Sequence, residues 1–134
     1  MKKAIAIIII LLIIVISLAS CKKDEPVVVS LESMKKALTE AGYTIEEDLS
    51  NPEYDLSTGG FIFVYPGAHG DAIIPVIEFI DKTAADAIAE VINGSSGGQA
   101  IVNDKFLAIY DSHGHNHGNE VTFLENLLNG KPLK

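Results

Sequence analysis

Apolar residues recur with helical spacing in three parts of the chain after residue 29, and polar capping residues bound each part. They predict three helices, over about residues 31–41, 84–93 and 120–129. Their N-terminal capping residues are Ser30, Thr83 (in a capping box with Asp86) and Asn119. Glycine follows close behind each helix, as is common at helix C-termini.

Short runs of β-branched and aromatic residues between the helices predict strands. They cover residues 43–45, 61–65, 72–80, 99–102 and 106–110. The sequence Asn103-Asp104-Lys105 separates the last two strands and predicts a hairpin. Pro75 interrupts the third strand, and because proline has no N–H for the ladder, we expect an edge position or a bulge there.

The order of these elements favours an α+β domain. Adjacent strands predict a small antiparallel sheet of about four to five strands, with three helices on one face. A helix followed by a hairpin occurs twice, which suggests a ferredoxin-like helix–hairpin repeat. The 134 residues allow one domain, which we place at residues 30–134.

The first 20 residues have a different composition from the rest. Lys2 and Lys3 precede an apolar, uncharged stretch over residues 4–19. A permanent bilayer span needs about 20 apolar residues, so this stretch is short for a span and typical of a signal peptide. We therefore predict that residues 1–20 direct export of the chain.

The apolar stretch ends in Leu18-Ala19-Ser20-Cys21 and contains the only cysteine at its end. This sequence resembles the lipobox of bacterial lipoproteins. The resemblance implies cleavage before Cys21, a diacylglyceryl group on its thiol, and a lipidated tether over residues 21–29. The mature protein would then lie in the cell envelope, on the outer side of the cytoplasmic membrane or on the outer membrane. An uncleaved signal anchor is the alternative.

The charge of the chain restricts its partners. The formal net charge is −8, and loss of Lys2 and Lys3 with the signal peptide lowers it to −10. Such a surface repels nucleic-acid phosphates and anionic lipid head groups. We expect no nucleic-acid partner, and attachment to the membrane through the lipid on Cys21 rather than through the domain. No pattern identifies a protein partner.

Histidines alternate in one segment near the C-terminus, at His113, His115 and His117. In an extended chain, residues two apart project to the same side at about 6.5 Å spacing, so their imidazoles can converge on one ion. A fourth ligand is available from His69, Asp111 or Glu120. Because no thiolate is present, the set favours zinc or another divalent transition metal over copper(I).

Two other segments have simpler explanations. The acidic residues 46–60 predict a long solvated loop, and His69 lies in a predicted hairpin turn between Gly67 and Gly70. A flexible polar connector would also explain the alternating histidines.

Three functions follow from these patterns. The first is a non-enzymatic, lipid-anchored binding or accessory lipoprotein that binds a divalent metal weakly through the histidines. The second is a structural or protein-interaction lipoprotein in which the histidines have no metal role. The third is a small hydrolase that uses a metal-bound water. No separated nucleophile and base are recognisable, so no catalytic residue and no organic cofactor are predicted.

Overall fold

The computed structural model describes residues 27–50, 52–67, 70–111 and 117–133. The elements of this part of the chain are α1 (Leu31–Glu40), β1 (Thr44–Leu49), β2 (Ser57–Gly67), β3 (Gly70–Phe79), α2 (Lys82–Asn93), β4 (Gln99–Asn103), β5 (Phe106–Tyr110) and α3 (His117–Leu128). The strands form one antiparallel sheet in the order β1-β2-β3-β5-β4. The predicted α+β class is confirmed. The predicted signal peptide and Cys21 lie outside the described residues.

Helices cover both faces of the sheet, so the expectation that they share one face is wrong. Helices α1 and α3 pack on the face that carries Ile74 and Val76, and α2 packs on the face that carries Ile77 and Phe79. All four of these side chains are buried. Because successive residues of a strand point to opposite faces, a strand that is apolar on both sides needs cover on both.

The ferredoxin-like repeat is not confirmed. Helix α1 is followed by three strands and α2 by two. The two helices also lie on opposite faces of the sheet. The two parts of the chain therefore differ both in the number of strands and in the sheet face that the helix covers.

Pro75 lies in β3, which is an internal strand and not an edge. It pairs with Ile62 of β2, while the ladder between β3 and β5 begins one residue later, at Val76 and Ala108. At Pro75 the internal strand is therefore paired on one side only, as an edge strand is. This local arrangement accommodates a residue that cannot donate a ladder hydrogen bond.

Two helices begin earlier than predicted. Asp81 caps α2, and its carboxylate accepts a hydrogen bond from the Ala84 N–H at 2.8 Å, so Thr83 lies inside the helix. Helix α3 begins at His117, which places Asn119 inside its first turn. Helix α1 is capped by Ser30 as predicted: the Ser30 hydroxyl accepts from the Ser33 N–H, and the Ser30 N–H donates to the Ser33 hydroxyl.

One predicted connection between strands is confirmed, and another is shorter than predicted. The hairpin between β4 and β5 is confirmed: Asn103 pairs with Phe106, and Asp104 has a φ of 52°. The predicted acidic loop over residues 46–60 is wrong at both ends, because β1 extends to Leu49 and β2 begins at Ser57.

The elements alternate between two ends of the sheet. We call the end where β2 begins and β3 ends the tether end, because α1 starts there: Leu31 Cδ1 lies 3.4 Å from the position of a Cβ on Gly59. We call the opposite end the distal end. There β2 meets β3, β5 ends beside the start of β4, and β1 begins. The 11 residues of β2 separate the two ends by about 33 Å.

In the part of the chain that the structure describes, no helix has both the length and the apolar character needed to cross a membrane.

Candidate functional site at the distal end

The topology brings the described neighbours of all four histidines to the distal end. His113 and His115 lie outside the described residues, in the connection between β5 and α3. His69 also lies outside them, in the two-residue connection between the paired residues Gly67 and Gly70. Both connections leave and re-enter the fold at the distal end. The convergence of the histidines remains a prediction.

The other predicted ligands are placed. His117 is the first residue of α3, so the extended alternation of the histidines does not continue past residue 116. Glu120 lies in the first turn of the same helix, and Asp111 directly follows β5. Asp111 is exposed and Glu120 is half-buried. Two carboxylates therefore flank the histidine connection, one on each side.

Aromatic rings, which the sequence did not single out, pack between α3 and the sheet near the distal end. Tyr43 and Tyr65 are stacked, with ring centroids 6.0 Å apart and planes at 7°. Phe123 of α3 contacts both, at centroid distances of 4.9 Å and 5.0 Å, and Phe63 lies 6.1 Å away. Offset and tilted aromatic pairs of this kind are favourable. Through Phe123 they attach the N-terminal half of α3 to the sheet.

Two phenols at this end have shifted acidity. Burial raises the pKa of Tyr65 above its usual value, and the Tyr43 phenol and the Glu120 carboxylate raise it further. Burial also raises the pKa of Tyr110, again with a contribution from Glu120 and a smaller one from Glu125. Both phenols therefore stay neutral at physiological pH and can donate as well as accept hydrogen bonds.

The distal end is acidic. Asp71, Asp111 and Glu120 lie there, at the start of β3, after β5 and at the start of α3. An end lined with carboxylates and neutral phenols attracts cations and repels anions. Its chemistry suits a hard or borderline metal ion, and carboxylate and imidazole ligands are the usual set for zinc.

The described residues do not themselves form a metal centre. Among residues 27–50, 52–67, 70–111 and 117–133, no three His, Cys, Asp or Glu side chains are arranged to hold an ion. A site at the distal end would therefore need the histidines of the two connections.

The sequence could not have pointed to the tyrosines. Tyr43 directly precedes β1, Tyr65 lies near the end of β2 and Tyr110 ends β5, and nothing local indicates which strands are neighbours. Tyr43 and Tyr65 stack because β1 pairs with β2, with Thr44 opposite Val64.

Comparison of the chain with known protein families, with curated proteins and with solved structures found no match. The class of this protein is therefore defined by its fold alone: an α+β domain with one antiparallel sheet covered by helices on both faces.

Proposed function

We propose that this protein is a lipid-anchored extracytoplasmic binding lipoprotein that takes a divalent transition metal ion through His113, His115 and His117. The observation that carries the proposal is the alternation of three imidazoles within five residues. The segment connects β5 to α3, and a carboxylate stands at each of its ends.

The surroundings of the segment support a cation as the ligand. Asp111 and Glu120 supply negative charge and potential ligand oxygens. The N-terminus of α3 disfavours a positive imidazolium, which leaves the neutral form that binds metals. His117 and Glu120 are three positions apart in that helix, and this spacing brings backbone positions one turn apart.

Zinc titration of the mature, lipidated protein in detergent tests the metal site. We expect one zinc ion per chain, bound at micromolar concentration, and at least a 30-fold weaker affinity when the three histidines are changed together to Ala. The comparison variant is His69→Ala, which removes one imidazole from a different connection. An unchanged zinc affinity in this variant would exclude His69 as a ligand. A loss of affinity smaller than that of the triple variant would make His69 the fourth ligand. Millimolar affinity, or equal affinity in the triple variant, would exclude the site.

The lipid anchor is tested separately. The proposal depends on the Leu18–Cys21 sequence and the apolar stretch before it. We expect mass spectrometry of the native protein to find Cys21 as the first residue, with the added mass of its acyl chains. A Cys21→Ser variant should lose both cleavage and acylation. Retention of residues 1–20, or an unmodified thiol in the native protein, would refute this part.

A protein-interaction role is the second candidate, and one observation favours it. Helix α2 packs on β3, β4 and β5, and no helix of the described residues covers the same face over β2 and the first part of β3. Ile62 and Val64 of β2 and Pro75 of β3 are half-buried there, and Ile73 of β3 is 60% exposed. If the triple histidine variant keeps the biological role of the protein, this face becomes the better candidate.

A further inference from the structure

Three apolar side chains are exposed together at the tether end. Leu56 and Ile80 are 59% and 56% exposed, and Tyr54 is 36% exposed. The Ile80 N–H donates to the Leu56 carbonyl at 3.0 Å, and the Ser57 N–H donates to the Tyr54 carbonyl at 3.2 Å. These bonds hold the backbones of Tyr54, Leu56 and Ile80 close together, and we call the three exposed side chains the apolar tip.

The backbone at the apolar tip is unusual. Leu56 has a φ of 63°, in the left-handed region that non-glycine residues rarely adopt. Folding therefore carries two free-energy costs at Leu56: an unfavourable backbone conformation, and an apolar side chain left in water. Transfer of this side chain into an apolar environment would release free energy that offsets these costs.

The chain from the lipid reaches the domain at the same end. Val27 is six residues after Cys21, so the lipid lies within about 20 Å of Val27 even when the chain is fully extended. Val27 lies beside Gly130, two residues after the end of α3: a Cβ on Gly130 would lie 3.0 Å from Val27 Cγ1. The end of α3 belongs to the tether end, because the Asn103 amide donates to the Leu128 carbonyl at 2.7 Å.

Charge at the tether end is mixed. Lys82 and Lys105 lie there, but they pair with Asp86 and Glu78 at 2.6 Å. Asp55 and Asp81 directly neighbour Leu56 and Ile80 in the chain. Charge therefore gives this end no attraction for anionic lipid, and a contact depends on the apolar side chains, the short tether and zwitterionic head groups.

We propose that the apolar tip rests on the bilayer that holds the lipid of Cys21, with Leu56, Ile80 and the ring of Tyr54 among the head groups and upper acyl chains. The inference rests on the lipid anchor of the proposed function. A short tether raises the effective concentration of the tip at the membrane to the millimolar range, so even a weak contact is populated. The distal end then faces away from the membrane.

Lipid-dependent quenching tests this contact. The only cysteine of the native chain is Cys21, so a second cysteine gives a unique thiol for an environment-sensitive fluorophore once Cys21 is lipidated. We would label Ile80→Cys in the mature protein, reconstituted in phosphatidylcholine vesicles with and without brominated acyl chains. The matched control is Ile73→Cys, which has nearly the same exposure but lies toward the distal end of β3, the strand that Ile80 directly follows.

We expect brominated lipid to quench the label at position 80 at least threefold more than the label at position 73. A Leu56→Asp change should reduce the quenching at position 80 by half or more. A label at Tyr54→Cys repeats the measurement if the first variant does not fold, as judged by circular dichroism.

The outcomes separate the two proposals. Protein that does not float with the vesicles would refute the lipid anchor, and the contact with it. Protein that floats without quenching at positions 80 and 54 would refute the contact alone. Equal quenching at positions 80 and 73 would also refute it, because the domain would then lie on its side.

Discussion

Gly60 is the position where one added methyl group tests the register of the sheet most directly. It lies in β2 opposite Ile77 of β3. A Cβ at this position would lie 2.4 Å from the Val76 carbonyl oxygen and 3.3 Å from Ile77 Cα. Both atoms belong to the backbone of the neighbouring strand, so they cannot rotate away. Gly60→Ala must therefore separate two strands of the core, and we expect it to lower the free energy of unfolding by about 3 kcal/mol, the upper part of the range for overpacking.

Gly59→Ala is the matched control, one residue earlier in the same strand. Its Cβ would meet Leu31 Cδ1 at 3.4 Å and the Leu49 carbonyl at 3.7 Å, which are ordinary contacts. We expect a change within about 1 kcal/mol, since the loss of chain entropy in the unfolded state favours Ala. Urea denaturation followed by circular dichroism measures both. If Gly60→Ala costs no more than Gly59→Ala, the two strands do not pair in this register.

Three further changes test the core, one helix cap and the distal end. Phe123→Ala removes the ring on which the distal aromatic residues pack and should cost about 3–5 kcal/mol in the same urea titration; a loss below 1 kcal/mol would contradict that packing. Asp81→Ala should cost about 1 kcal/mol through loss of the α2 cap, and Asp81→Asn should restore most of it; equal stability of the two variants would exclude the cap. Glu120→Gln should lower the pKa of Tyr65 and Tyr110, measured by ultraviolet absorbance. Because folding raises both phenol pKa values, their contribution to stability is complete below pH 10 and is lost as the pH rises through the raised values; phenols that titrate identically in the variant would refute the role of Glu120.

Local signals in the sequence predicted the elements well. The first helix and its Ser30 cap depend on a hydrogen bond between residues three apart. The β4–β5 hairpin depends on turn residues between two apolar runs. The error in the predicted start of α2 is also local, because Asp81 and Thr83 are both good capping residues. Asp81 is the cap because its backbone is extended, whereas Thr83 already lies in the helix.

Packing between distant elements could not be predicted in this way. The acidic composition of residues 46–60 places Gly59 and Gly60 in a predicted loop, but Gly60 lies in a strand where a neighbouring backbone leaves no room for a side chain. Pro75 suggests an edge, but an internal strand tolerates it since the next ladder starts one residue later. In each case the deciding contact comes from a residue more than ten positions away in the chain.

The separation of the two ends follows from the alternation of the elements. From α1 onward, each helix or strand runs in the opposite direction along the sheet to the one before it. Seven elements, an odd number, precede the end of β5, so Tyr110 and the start of α3 lie at the end opposite the start of α1. Three elements, again an odd number, precede the end of β2, so the paired residues Gly67 and Gly70 lie at that same end. The described residues on either side of both connections are therefore about 33 Å from the tether end, measured along β2. Under the two proposals, the metal site and the membrane contact lie at opposite ends of the sheet, so that occupation of one leaves the other accessible.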